Sequence, residues 1–183
     1  MKLLLALLFV ALMALPAAAI EVAGVTLEPA VTVNGHVLKL NGAGIRKKFF
    51  IKVYIGSLYS VKRLTSPAEA LADKGDKLIR MNFLHSKVDK GKIIEAFSDG
   101  FANNSPDLAG SSEVKRFLSL FTADFMRGDV VDLQLGSDGT VTARHNGKVL
   151  GSIPSGKLAT AILRIYLGDR PADDALKTGM LGG

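Results

Sequence analysis

The 183-residue chain has no cysteine and no tryptophan, and only three histidines, His36, His85 and His145. Without cysteine there is no disulfide framework, no thiolate nucleophile and no sulfur-ligated metal. The histidines stand far apart, with no H-x-x-x-H pair, so a metal or haem site is expected only where the fold carries one of them to a pocket. No G-x-S-x-G elbow occurs, and Gly42-Ala43-Gly44 lacks the further glycine and helix of a dinucleotide loop. No isolated pair of carboxylates stands on an apolar face; Asp124 and Asp129 flank a helix end. These absences leave no expected cofactor and no expected metal.

Long apolar runs are also missing. Leu3–Leu15 falls short of the ~20 residues needed to span a bilayer. It follows the basic start Met1-Lys2 and precedes Pro16-Ala17-Ala18-Ala19, an ending of the A-x-A type. That is the pattern of a cleaved secretory signal peptide over 1–19, with one domain over 20–183 and no stable membrane span after cleavage. The expected location is periplasmic or secreted. The formal charge is +6, but the cations are spread along the chain and make no nucleic-acid stripe. Anionic ligands or an anionic membrane surface fit this balance better.

Local signals give the element order. Asn34-Gly35, Asp138-Gly139 and Asn146-Gly147 are tight hairpin turns. Strands are expected over Lys47–Tyr59 and Lys77–Leu84, and a three-stranded meander over Gly128–Ile153. Ser66-Pro67-Ala68-Glu69 is a capping box opening a short helix over Pro67–Ala72. Asp89 caps a helix with Ile93, Ile94, Phe97 and Phe101 on its buried stripe. Ser111 or Ser112 starts another, its stripe read through Val114, Phe117, Leu118, Phe121 and Phe125. Ser155 caps a helix carrying Leu158, Ala161, Ile162, Ile165 and Tyr166, and a last short helix spans about Asp173–Met180. Strands joined by hairpins, without regular β-α-β alternation, predict an α+β fold: an antiparallel sheet with helices on one face.

The stretch Leu40–Tyr59, LNGAGIRKKFFIKVYIGSLY, is the most informative. Asn41-Gly42-Ala43-Gly44 reads as a tight turn before Arg46. Strand alternation then puts Phe49, Ile51, Val53 and Ile55 on a core face, and Arg46, Lys48, Phe50, Lys52 and Tyr54 on the other. An arginine and a tyrosine beside an apolar pocket can grip a carboxylate, the guanidinium bidentately and the phenol with one further donor. Tyr59, Lys52 and Lys92 are looser members of this group. The alternative is structural: an arginine closing a turn or paired with Asp99 or Asp107, and a tyrosine in the core.

The segment Asn41–Arg46 followed by Phe49–Tyr59 resembles the G-x-G-x-R turn and next strand of the chalcone isomerase superfamily. The ending Tyr166-Leu-Gly-Asp-Arg-Pro-Ala-Asp173 with Leu176-Lys177 and Met180-Leu181-Gly182 is similar to that of bacterial chalcone-isomerase-like proteins, and the likeness covers about 20–183. It implies the chalcone isomerase fold, an open-faced β-sandwich. In the enzymes the motif arginine, here Arg46, stabilises an oxyanion with help from a strand threonine and a helix tyrosine, lysine and asparagine. Here Tyr54 stands at the threonine position, Lys92 matches the lysine, and Asp89 and Ala96 fall where the tyrosine and asparagine would be. That departure points away from catalysis. The superfamily's non-enzymatic branch, whose arginine and a tyrosine hold a fatty-acid carboxylate, is the better fit.

The expected ligand is therefore a small amphipathic carboxylate, fatty-acid-like, held by Arg46, by Tyr54 or Tyr59, and by Lys92. Phe97, Phe101, Phe117 and Phe121 are placed to enclose its tail. The alternatives are an isomerase or lyase acting on a phenolic or enone substrate, and an envelope accessory protein that binds a partner.

Overall fold

The computed structural model describes residues 19–183. The leader expected over 1–19 lies outside the described residues but for Ala19. The chain opens with a small hairpin, β1 (Ile20–Val22) and β2 (Val25–Leu27). The main sheet has seven antiparallel strands. In chain order these are β3 (Ala30–Val33), β4 (His36–Lys48), β5 (Ile51–Ser60), β6 (Lys77–Phe83), β9 (Val130–Leu135), β10 (Thr140–His145) and β11 (Lys148–Pro154). Their spatial order is β11-β10-β9-β6-β5-β4-β3. A separate two-stranded ribbon pairs β7 (Lys87–Val88) with β8 (Phe125–Met126). The helices are α1 (Pro67–Ala72), α2 (Lys90–Asn104), α3 (Ser112–Ser119), α4 (Gly156–Leu167) and α5 (Asp174–Met180). The architecture is the expected α+β one.

Local chemistry sets most element ends. The side chains of Ser66, Asp89, Ser111, Ser155 and Asp173 each accept a hydrogen bond from a backbone N–H in the first turn of the helix they precede. Asn34-Gly35 and Asn146-Gly147 take left-handed φ at both positions, as the twist of a two-residue hairpin demands.

Three expectations change. The segment Asn41–Gly44 is not a turn; it lies inside β4, a continuous 13-residue strand. Its glycines serve close approach instead. A Cβ on Gly44 would sit 2.8 Å from Leu176 Cα, because α5 lies directly across the strand there. Asn41 fixes the same helix: its Nδ2 donates to the Met180 and Leu64 carbonyls, each at 2.8 Å, and its Oδ1 accepts from Leu64 N–H at 2.7 Å. The two stretches that carry the family resemblance are thus one packing unit.

The real turn is Phe49-Phe50. It interrupts the strand expected over Lys47–Tyr59, so Phe49 and Ile51 are exposed rather than core, and only Ile55 of that expected face is fully buried. Phe49 adopts φ 55°, a conformation costing about 1 kcal/mol or more for a residue with a Cβ.

Finally, α3 ends at Ser119. Phe121 lies beyond its end, and Phe125 sits on β8, opposite Val88. Both remain buried, so the apolar spacing continued while the backbone changed period.

The core between helices and sheet is aromatic-rich. Phe97 stacks on Phe121 with centroids 5.3 Å apart and meets Phe117 edge-on at 5.1 Å. Phe101 meets Phe117 at 5.9 Å. On the sheet's opposite face a smaller cluster gathers Val33, Leu38, Tyr59 and Leu78.

Candidate functional site

Arg46 is the last half-buried residue of β4 before the Phe49-Phe50 tip. Its partner across the hairpin is Tyr54, so the two share the helix-covered face with Gly44 and Gly56. They meet across two strands rather than along one, because the hairpin folds where continuous strand was expected. The guanidinium carbon lies 5.8 Å from the centre of the Tyr54 ring. Beneath them is Tyr166 of α4, fully buried, with its hydroxyl donating to Met81 Sδ at 3.3 Å. Burial above all, and then the neighbouring Tyr54, push the Tyr166 phenol well above its ordinary pKa, so it stays a neutral donor.

Arg46 is held but not neutralised. Burial works against its charge, yet the facing Tyr54, Tyr166 and Asp173 outweigh it, and its pKa is raised above the ordinary arginine value. No salt bridge among the described residues engages it; the alternative, a structural bridge to Asp99 or Asp107, does not form. Its Nε is buried without a hydrogen-bond partner. An unpartnered buried donor on a charged group is costly, and native structures rarely keep one without a use. Asp173 does not accept from Arg46: its Oδ1 caps α5 and its Oδ2 accepts from Lys47 N–H at 3.1 Å, fixing the strand beside Arg46.

Three spaces meet at Arg46. The outer cleft, about 370 Å³, runs between the hairpin tip and the start of α2. Its walls are Phe49, Ile51, Val53, Val88, Ile93 and Ala96, with Lys48, Lys87, Lys92 and His85 at the rim. Asp89 is the one acid on the lining, and its Oδ1 is already engaged by Gly91 N–H at the helix cap. A second, polar cleft of about 180 Å³ lies along the other side of α2, lined by Glu95, Asp99, Asn103 and Arg170. The third is a small recess of about 10 Å³ among Tyr54, Met81, Phe97, Ile165 and Tyr166, room for a single water at most. Arg46 therefore stands between an apolar cleft open to solvent and a closed core.

The sequence-derived site residues separate. Arg46 and Tyr54 share the helix-covered side of the sheet, and Lys92 of α2 stands at the cleft rim with its Nζ 2.9 Å from Glu95. Tyr59 does not join them. It points to the opposite face of β5, where its hydroxyl donates to the Glu28 carbonyl at 3.0 Å. Burial, partly offset by Arg80, pushes its pKa up to about 12. The odd spacing between Tyr54 and Tyr59 was the available signal, since strand side chains alternate. Phe97, Phe101, Phe117 and Phe121 do not enclose an open space either; their rings fill the interior by stacking on one another. Tyr166, Lys48 and His85 were not singled out for the site. His85 does reach the cleft rim, but no cluster of three metal-ligating side chains forms among the described residues.

The model of the chalcone isomerase-like family matches residues 19–182, and the chain belongs to that family. Fatty-acid-binding protein 1 of Arabidopsis thaliana is 26% identical over 172 residues, an alignment covering 76% of this chain. The match spans only 61% of that relative's length. The crystal structure of an Arabidopsis thaliana fatty-acid binding protein superposes with a TM-score of 0.70, covering 90% of this chain and 96% of that one at 20% identity. The fold is therefore the chalcone isomerase-like one.

Proposed function

We propose that this protein binds a fatty acid or similar amphipathic carboxylate, with the carboxylate on Arg46 and the tail along the outer cleft. The observation that carries this reading is the buried, unpartnered Nε of Arg46 at the inner end of an apolar cleft. An incoming carboxylate gives the guanidinium its counter-charge. Tyr54 supports the guanidinium from the inner side, and Lys48 and Lys92 add positive potential at the rim. Phe49, Ile51, Val53, Val88 and Ile93 are the apolar wall for the tail, each buried CH₂ contributing about 0.8 kcal/mol. A volume near 370 Å³ is at the small end for a ligand site, which favours short and medium chains over long ones. The fatty-acid-binding relatives support the ligand class. We propose further that the chain is exported through its N-terminal leader to the periplasm or beyond, in line with Leu3–Leu15 and the Ala17-Ala18-Ala19 ending.

The test is native mass spectrometry of the purified protein, with organic extraction and a titration of saturated fatty acids of increasing length. Bound acyl carboxylate, lost in a folded Arg46→Ala variant, is the expected result. A variant that binds the same acids with unchanged affinity overturns the reading. Turnover of a chalcone or related enone, abolished by the same substitution, replaces it with the isomerase one.

A further inference from the structure

The β4–β5 hairpin ends in Phe49-Phe50, residues 87% and 101% exposed, and Ile51 beside them is 48% exposed. The cross-strand pairs directly behind the tip are Lys47 with Lys52 and Lys48 with Ile51, and all three lysines are exposed. We propose that this tip is a membrane-docking element: the two phenylalanines enter the interfacial layer of an anionic bilayer while Lys47, Lys48 and Lys52 lie against its headgroups.

Four observations carry this. First, the turn chemistry is wrong for a solvent-facing hairpin. The hairpins at Asn34-Gly35 and Asn146-Gly147 use residues that accept left-handed φ cheaply, whereas Phe49 holds φ 55° against its own Cβ. A turn that is poor for folding and poor for solubility marks a binding element. Second, the charges are complementary to one partner class. No acid stands between Lys47 and Lys52, so anionic headgroups are attracted. A second copy of this chain would bring like charges together. Third, apolar tip and basic collar supply the two signals that reversible membrane attachment requires. Fourth, the tip is continuous with the cleft, because Phe49 and Ile51 line both. A docked tip places the mouth of the cleft at the bilayer surface, where an acyl carboxylate would enter or leave. That last consequence rests on the fatty-acid reading; the docking itself does not. No helix among the described residues is long and apolar enough to cross a membrane, so any attachment by them would be peripheral unless strands did the crossing.

Phe50 and Lys52 do not line the cleft, so they separate docking from ligand binding. Protein expressed from the full sequence is sedimented with vesicles of phosphatidylcholine alone and of phosphatidylcholine with phosphatidylglycerol. The expected result is binding to the anionic vesicles that weakens with salt. Phe50→Ser lowers it about tenfold or more, on the ordinary transfer free energy of a phenylalanine side chain. Lys47→Glu with Lys52→Glu removes the preference for phosphatidylglycerol. The affinity of Phe50→Ser for a soluble fluorescent fatty acid stays at the wild-type value. Arg46→Ala shows the reverse: vesicle binding kept, fatty-acid binding lost. The chain has no tryptophan, so Phe50→Trp gives a single reporter at the tip. A blue shift on anionic vesicles, quenched by brominated lipid, supports insertion. Unshifted emission, or Phe50→Ser binding vesicles as wild type does, overturns the proposal, as does wild-type protein that ignores anionic vesicles. Loss of fatty-acid binding by wild type with vesicle binding intact would instead defeat the ligand reading alone.

Discussion

Strand β5 carries two tyrosines, one on each face, each beside an arginine of a neighbouring strand at the same spacing, and the two arginines are in opposite states of satisfaction. Arg80 lies 5.8 Å from the centre of the Tyr59 ring, as Arg46 does from Tyr54. Every edge of Arg80 is used. Its Nε and Nη2 donate to the two oxygens of Asp132 at 2.7 and 2.9 Å, and its Nη1 donates to Glu28 at 2.6 Å. These bonds to Asp132, more than offsetting burial, raise the Arg80 pKa far above its ordinary value. Arg46 bonds no carboxylate, although Asp173 stands near enough to favour its charge, and it keeps a buried Nε without a partner. The same two residue types therefore make a structural tie on one face and leave an arginine without a carboxylate bond on the other. What separates them is whether the fold brings a carboxylate into hydrogen-bond reach of the guanidinium; on the proposed function, a ligand brings it to Arg46.

The largest effects follow from removing either arginine. Arg80→Ala leaves the Asp132 carboxylate buried without its bidentate partner and is expected to cost about 3 kcal/mol, read as a shift of the urea midpoint at unchanged slope. Ligand affinity per folded molecule stays as it was. Arg46→Ala orphans no carboxylate, so its stability change is about 1 kcal/mol or less. Its fatty-acid affinity drops about 10- to 100-fold, the ordinary worth of hydrogen bonds to a charged group. Equal stability losses in the two variants, or equal affinity losses, would erase the distinction.

The tyrosines sharpen it at a smaller scale. Tyr54→Phe is expected to weaken fatty-acid binding by about 1 kcal/mol, measured by titration calorimetry, because the phenol that supports the guanidinium is gone. Tyr59→Phe leaves binding alone and removes the hydroxyl that bonds the Glu28 carbonyl, a stability loss of about 1 kcal/mol.

Much of this was legible from local chemistry, and the failures share a cause. Helix caps and Asn-Gly turns are decided within a few residues, so Asp89, Ser155, Asp173 and Asn146-Gly147 did what their residue types imply. The segment Asn41–Gly44 carries the same residue types as a turn, but its glycines are explained by a helix that arrives from more than a hundred residues away. The Phe49-Phe50 turn is the converse, a turn with no turn residues. Arg46 and Tyr54 were placed together for the wrong geometric reason and remain together, since residues on one strand face and residues paired across a hairpin both become neighbours. The saturation of Arg80 was not legible, because Glu28, between β2 and β3, and Asp132, on β9, each reach it from 52 residues away in sequence. Nor was the filled aromatic interior, which depends on how four rings pack in three dimensions.

The smallest expected effect concerns pH, and it distinguishes the two faces again. Tyr59 has its pKa raised to about 12 against an ordinary 10.0, by burial first of all. Between these values the unfolded chain releases the phenolic proton and the folded chain keeps it, so fewer protons are bound in the unfolded state. Stability therefore falls as pH rises through that window, and the contribution is fully present below about pH 10. Tyr166, raised for the same reason on the other face, adds to the loss. Tyr59→Phe should make the alkaline decline in the urea midpoint shallower without abolishing it, because Tyr166 still titrates late. Tyr59→Phe paired with Tyr166→Phe should flatten it further. If Tyr59→Phe leaves the slope above pH 10 untouched, the Tyr59 phenol is not held in the neutral form by its burial. The satisfied character of the Arg80 face would then rest on its carboxylates alone.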